Sequence, residues 1–141
     1  MNVEYHLRIA GVLLLFLVGL NAVLPKRFHW KDELARLSLV NRQIFVVHCM
    51  FIGLMLAMMG VLSIVYTDAL LQPTPLAIPV LAGLFTFWSV RLFIQWFYYD
   101  RKLWVGHPFN TFVHFAFTGL WIYFSTVYGW ALYLQFADTG A

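Results

Sequence analysis

The sequence predicts an all-α integral membrane protein built as a four-transmembrane-helix bundle, and three observations predict it. Of 141 residues, 62% are hydrophobic and only 11% charged, against roughly 25% charged in soluble domains. Four apolar runs, at about 8–25, 43–66, 76–99 and 109–136, are each long enough to cross the roughly 30 Å hydrocarbon layer as a helix. Those runs occupy most of the chain and leave no Gly/Ser/Pro-rich linker or low-complexity tract. Residues 1–141 therefore read as a single polytopic domain.

The first span opens at Arg8 and continues through "IAGVLLLFLVGL". It is followed by "NAVLPKRF", which lacks a small-x-small cleavage pattern, so the span is expected to be retained. The stretch "FHWKDELARLSLVNR" then places Trp30, Leu34 and Leu37 at helical spacing, with Lys31, Asp32, Glu33 and Arg36 on the remaining face. That pattern predicts a short amphipathic interfacial helix between spans one and two, anchored by Phe28 and Trp30 and drawn to anionic lipid. Asn41, Arg42 and Gln43 mark the start of span two. The outer loop "YTDALLQPTP" leads into span three, whose first turn tolerates Pro79 because the N–H there has no intrahelical partner. Trp96, Tyr98, Tyr99 and Trp104 at one end, and Tyr128, Trp130 and Tyr133 at the other, fit interfacial aromatic belts.

Charge sets the orientation. Seven of the nine basic residues, Lys26, Arg27, Lys31, Arg36, Arg42, Arg101 and Lys102, fall in the loops joining spans one to two and three to four. The positive-inside rule makes those loops cytoplasmic and the bundle N-out/C-out, as in a bacterial inner membrane. The net charge of +3 is then topology rather than a nucleic-acid footprint. The expected partners are the lipid bilayer and other membrane-protein subunits or a homo-oligomer.

The single cysteine, Cys49, excludes an internal disulfide and any CxxC motif. The six carboxylates, Glu4, Asp32, Glu33, Asp68, Asp100 and Asp138, all lie in loops or near span ends. This distribution argues against a di-iron carboxylate site, an HExxH zinc site and an acidic proton relay in the core.

What remains inside the spans is basic and neutral. Helical phase groups Arg91, Gln95 and Tyr98 on span three, Asn41, His48 and Met55 on span two, and Asn110, His114 and Trp121 on span four. An arginine near the bilayer centre costs at least ~2.5 kcal/mol. Arg91 is therefore expected to point inward, toward a partner, a water-filled cavity or a ligand acid such as a lipid phosphate, quinone oxygen or haem propionate.

Three readings fit this inventory. In the first, His48 and His114 are axial ligands of a b-type haem, Arg91 pairs a propionate, and Gln95 and Asn110 fix the imidazole tautomers. The second places a quinone in the same pocket, with a histidine as hydrogen-bond donor and Gln95 or Tyr98 in support. Both make the chain an electron-transfer protein or subunit. The third makes the polar cluster interhelical glue, or a lipid-phosphate site, in an accessory or assembly subunit of a larger membrane complex. Whether a reaction is catalysed is left open.

Overall fold

Asn2 starts the first helix: its side-chain oxygen accepts the backbone N–H of Glu4 at 3.1 Å, satisfying one of the donors that a helix N-terminus leaves without a partner. From there the computed structural model describes residues 2–27, 30–100 and 108–139. Among the described residues the chain is helical throughout, without strands: α1 (Val3–Arg27), α2 (Trp30–Leu34), α3 (Leu39–Val65), α4 (Thr67–Leu71), α5 (Ala77–Phe97) and α6 (Pro108–Thr139). Phe28, Arg101, Lys102 and Trp104, invoked above as anchors and orientation charges, lie outside the described residues, as do the side chains of Lys26, Arg27, Lys31, Glu33 and Asp138.

Three helices are long and apolar enough to cross a membrane, over Val3–Val23, Leu39–Val65 and Ala77–Phe97. The chain has the character of a membrane protein on that ground. The 32-residue α6 is not among them. Its Tyr, Trp, Thr and Ser residues lower its hydropathy, although its length exceeds the ~20 residues a crossing requires.

Local chemistry explains where the elements depart from the sequence expectation. Ser38 accepts the N–H of Asn41 at 3.4 Å, so α3 begins about one turn earlier than expected and takes Asn41 and Arg42 into its first turn. The amphipathic helix is correspondingly short, five residues. Inside the expected loop, Thr67 folds its hydroxyl back onto the Ser63 carbonyl at 2.6 Å, and α4 follows. Pro79 falls within the first turn of α5 and Pro108 opens α6, both positions where a missing N–H loses nothing.

The chain forms two compact units, Leu7–Thr67 and Met1–His6 with Asp68–Ala141. In the first, α1 and α3 meet at Gly11 and Gly60. A Cβ on Gly11 would lie 2.8 Å from the Gly60 carbonyl and 2.6 Å from Ile64 Cγ1, so only glycine permits this backbone approach. In the second, α5 packs along α6 through rings. Trp88, 1% exposed, stacks on Trp121 with centroids 5.0 Å apart and tilts against Phe124 at 4.6 Å. Phe85 covers Gly129, where a Cβ would approach the ring to 2.9 Å.

Candidate functional site

The α5–α6 seam ends in a polar cluster. One turn along α5 from Arg91, Gln95 is only 5% exposed, which places its amide where each atom must find a partner. Arg91 Nη1 donates to Gln95 Oε1 at 3.3 Å, and Gln95 Nε2 lies 2.8 Å from His114 Nδ1 on α6. Thr118, one turn after His114, returns its hydroxyl to the His114 carbonyl at 2.8 Å.

The donor inventory fixes the proton positions. A guanidinium has no acceptor, so Gln95 must turn its carbonyl oxygen toward Arg91 and its NH2 toward His114. An amide NH2 can only donate, so His114 Nδ1 accepts, and the neutral imidazole carries its proton on Nε2. The chain thus runs in one direction, from the Arg91 cation through the Gln95 amide to the His114 ring.

The Arg91 charge is met by π-faces and an amide oxygen. Its guanidinium carbon lies 5.1 Å from the Trp121 ring centroid and 5.9 Å from that of Tyr99. Cation–π contacts of this kind contribute about 0.5–2 kcal/mol, more when desolvated. Trp121 also stacks on Trp88 and on Phe117, with centroids 5.0 and 5.4 Å away.

Beside the cluster lies a pocket of about 290 Å³, lined by Gln95, Trp96, Tyr99, Thr111, His114, Phe115 and Thr118. Flat rings make up part of its wall, and the amide, imidazole and threonine hydroxyls supply a few convergent polar groups, the usual constitution of a small-ligand site.

Of the residues singled out in the sequence, Arg91, Gln95 and His114 are joined directly. Asn110 is half-buried one turn before His114. Tyr98 is exposed, and its neighbour Tyr99 is the tyrosine that reaches both Arg91 and the pocket. His48 belongs to the other unit. It is exposed, and its Nδ1 donates to the Ile44 carbonyl at 2.9 Å, since a carbonyl can only accept. That leaves the lone pair of the neutral ring on Nε2, the opposite tautomer to His114. Among the described residues no group of three or more His, Cys, Asp or Glu side chains is placed to hold a metal ion.

The sequence reading passed over several polar contacts. Thr111 and Thr118 sit in the helical phase of His114 and were readable as such. His6, whose Nδ1 lies 3.1 Å from the Tyr123 hydroxyl and whose ring tilts against Trp130, gave no periodic signal because it precedes the first apolar run. Gln135, buried on α6, donates to the carbonyls of Leu70 and Leu71 at 3.1 and 3.0 Å.

No family model matches this chain, and neither a curated protein nor a solved structure matches it.

Proposed function

We propose that the chain is a small membrane electron-transfer protein or subunit that holds a quinone-type head group beside His114. One observation carries this reading: a pocket of aromatic rings and convergent polar groups lies beside the Arg91–Gln95–His114 chain, and an imidazole N–H is a donor of the kind a quinone carbonyl oxygen accepts. The Trp96, Tyr99 and Phe115 rings suit a flat ligand, and about 290 Å³ suits a head group, at the small end of the ~300–1,000 Å³ range of ligand pockets. Arg91 would draw electron density from the ligand through the Gln95 amide. The electrons would come from or go to partner subunits.

The proposal includes the membrane frame. α6 is the fourth span, the basic loops face the cytoplasm, both termini lie outside, and the membrane is a bacterial inner membrane. It is supported by the length of α6 and by the placement of Arg36 and Arg42 beside the start of α3.

A b-type haem is the second reading, and the His48 ring favours it. With Nδ1 engaged by the Ile44 carbonyl, His48 Nε2 carries the lone pair that ligation requires. For His114 to ligate iron, its ring would need the reverse tautomer, and so a flipped Gln95 amide that breaks its bond to Arg91.

The test is quinone binding to the purified, reconstituted protein, followed by quenching of tryptophan fluorescence with a short-chain ubiquinone and a short-chain menaquinone. Saturable quenching that is lost in His114→Ala, with helicity retained, supports the reading. Identical quenching in the wild type and the variant overturns it. A visible spectrum of the same sample separates the haem reading: a Soret band abolished by His48→Ala would establish haem. A colourless protein without saturable quinone binding would leave the Gln95–His114 bond as an interhelical link in an accessory subunit.

A further inference from the structure

The unit Leu7–Thr67 contains a cavity of its own. α1, α2 and α3 enclose a groove of about 440 Å³ whose walls include Asn21, Trp30, Leu34, Phe45, Cys49 and Gly53. Trp30 and Phe45 meet edge to face at 5.2 Å and form one flank. Apart from Asn21 and the weakly polar Cys49, the wall is apolar. The Asn21 NH2 is turned away from ligand duty, because it donates to the Cys49 carbonyl at 2.9 Å. Trp30 and Leu34 of α2 thus form one side of a trough whose other walls come from α1 and α3.

Such a trough does not hold ordered water, which needs two to four polar partners. In a bilayer the groove walls face hydrocarbon, and an unfilled trough forfeits its dispersion contacts. The adjoining sequence adds a sign. Residues 26–42 carry Lys26, Arg27, Lys31, Arg36 and Arg42 against Asp32 and Glu33. Arg42 stands one helical turn before Phe45 and Val46 on the groove-lining face of α3, because residues three and four apart share a face. Trp30 is the kind of residue that settles at headgroup depth.

We infer that this groove is a binding site for an anionic phospholipid of the surrounding bilayer, with an acyl chain lying against Trp30, Phe45 and Cys49 and the phosphate paired with Arg42. α2 is then the strap that closes over the lipid rather than a simple surface anchor. The inference does not rest on the quinone reading, and it uses none of the same residues.

Native mass spectrometry of the detergent-purified protein, equilibrated with phosphatidylglycerol or with phosphatidylcholine of identical chains, tests it. The expected result is a single retained phosphatidylglycerol per chain, with phosphatidylcholine retained more weakly. Arg42→Gln should weaken phosphatidylglycerol retention about fivefold, the weight of one basic residue beside an anionic headgroup, and leave phosphatidylcholine unchanged. Val46→Trp, which fills the groove, should abolish retention of both. Ala22→Leu provides the same test from α1 should the first variant lose its helicity. Alkylation of Cys49 gives an independent readout: bound phosphatidylglycerol should slow it in the wild type and not in Arg42→Gln. Equal retention of the two lipids, retention unchanged in the folded groove-filling variants, or a Cys49–Cys49 disulfide dimer forming in place of lipid retention would each overturn the assignment.

Discussion

Gln95 Nε2 reaches His114 Nδ1 at 2.8 Å while the other end of the same amide is held by Arg91, so an arginine two bonds removed determines which ring nitrogen of His114 bears the proton. The relationship is directional because each member has a restricted role: guanidinium donates, amide oxygen accepts, amide NH2 donates. Changing the middle member should therefore change the tautomer without moving the helices.

Gln95→Glu makes that reversal. A carboxylate presents acceptors to both neighbours, so His114 must donate from Nδ1 and place its lone pair on Nε2. The 15N shifts of the His114 ring should exchange between the wild type and the variant. On the quinone proposal, quenching should fall, since Nε2 would then offer a lone pair in place of an N–H, and affinity for added haem should rise. Unchanged 15N shifts would mean that something other than Gln95 sets the tautomer.

Arg91→Leu should separate stability from binding. The substitution removes a charge that costs at least ~2.5 kcal/mol near mid-membrane on insertion scales, and it exchanges cation–π contacts with Trp121 and Tyr99 for hydrocarbon. We expect insertion efficiency and thermal stability to hold or improve while ligand binding weakens. A loss of both together would make Arg91 a packing residue.

Gly11→Leu should be among the most damaging single changes in the Leu7–Thr67 unit. A Cβ there meets the Gly60 carbonyl and Ile64, and overpacking of this kind costs about 1–3 kcal/mol. Gly119→Ala is the control, since nothing lies within 4 Å of its added Cβ. Thermal unfolding in detergent should show a large drop for the first and none for the second.

How much of this was legible follows from what each signal depends on. Long apolar runs announce helices whatever their neighbours, and α1, α3 and α5 have the length and character read from the sequence. The proximity of Arg91, Gln95 and His114 was foreshadowed by helical phase, because Arg91 and Gln95 are one turn apart on one helix and His114 stands near the facing end of another. Tertiary chemistry was not legible. Arg91 turned out to rest on Trp121 and Tyr99, and a sequence does not say which aromatic ring will lie under a cation. α4 escaped notice because a five-residue helix has no periodicity to detect; it depends on the Thr67 hydroxyl and on Gln135, 65 residues away from Leu70.

That last contact carries a prediction of its own. The carbonyls of Leu70 and Leu71 belong to the C-terminal turn of α4, where helix geometry provides no N–H partner. Gln135 supplies one NH2 to both, at 3.1 and 3.0 Å, and is itself 2% exposed. In Gln135→Leu the volume is nearly kept and the donors are lost, leaving two carbonyls to find water or to remain unsatisfied. A buried orphan of this kind costs about 1–3 kcal/mol, enough to unwind a helix of five residues and little threat to the long ones. Hydrogen exchange should accordingly speed up over residues 67–72 while the amides of α5 keep their protection. Gln135→Glu, which retains acceptors and loses the donors, should behave like the leucine variant, because it is the N–H groups that hold the turn. If exchange in α4 is unaltered in both variants, the turn is held by Thr67 and its bond to Ser63 alone.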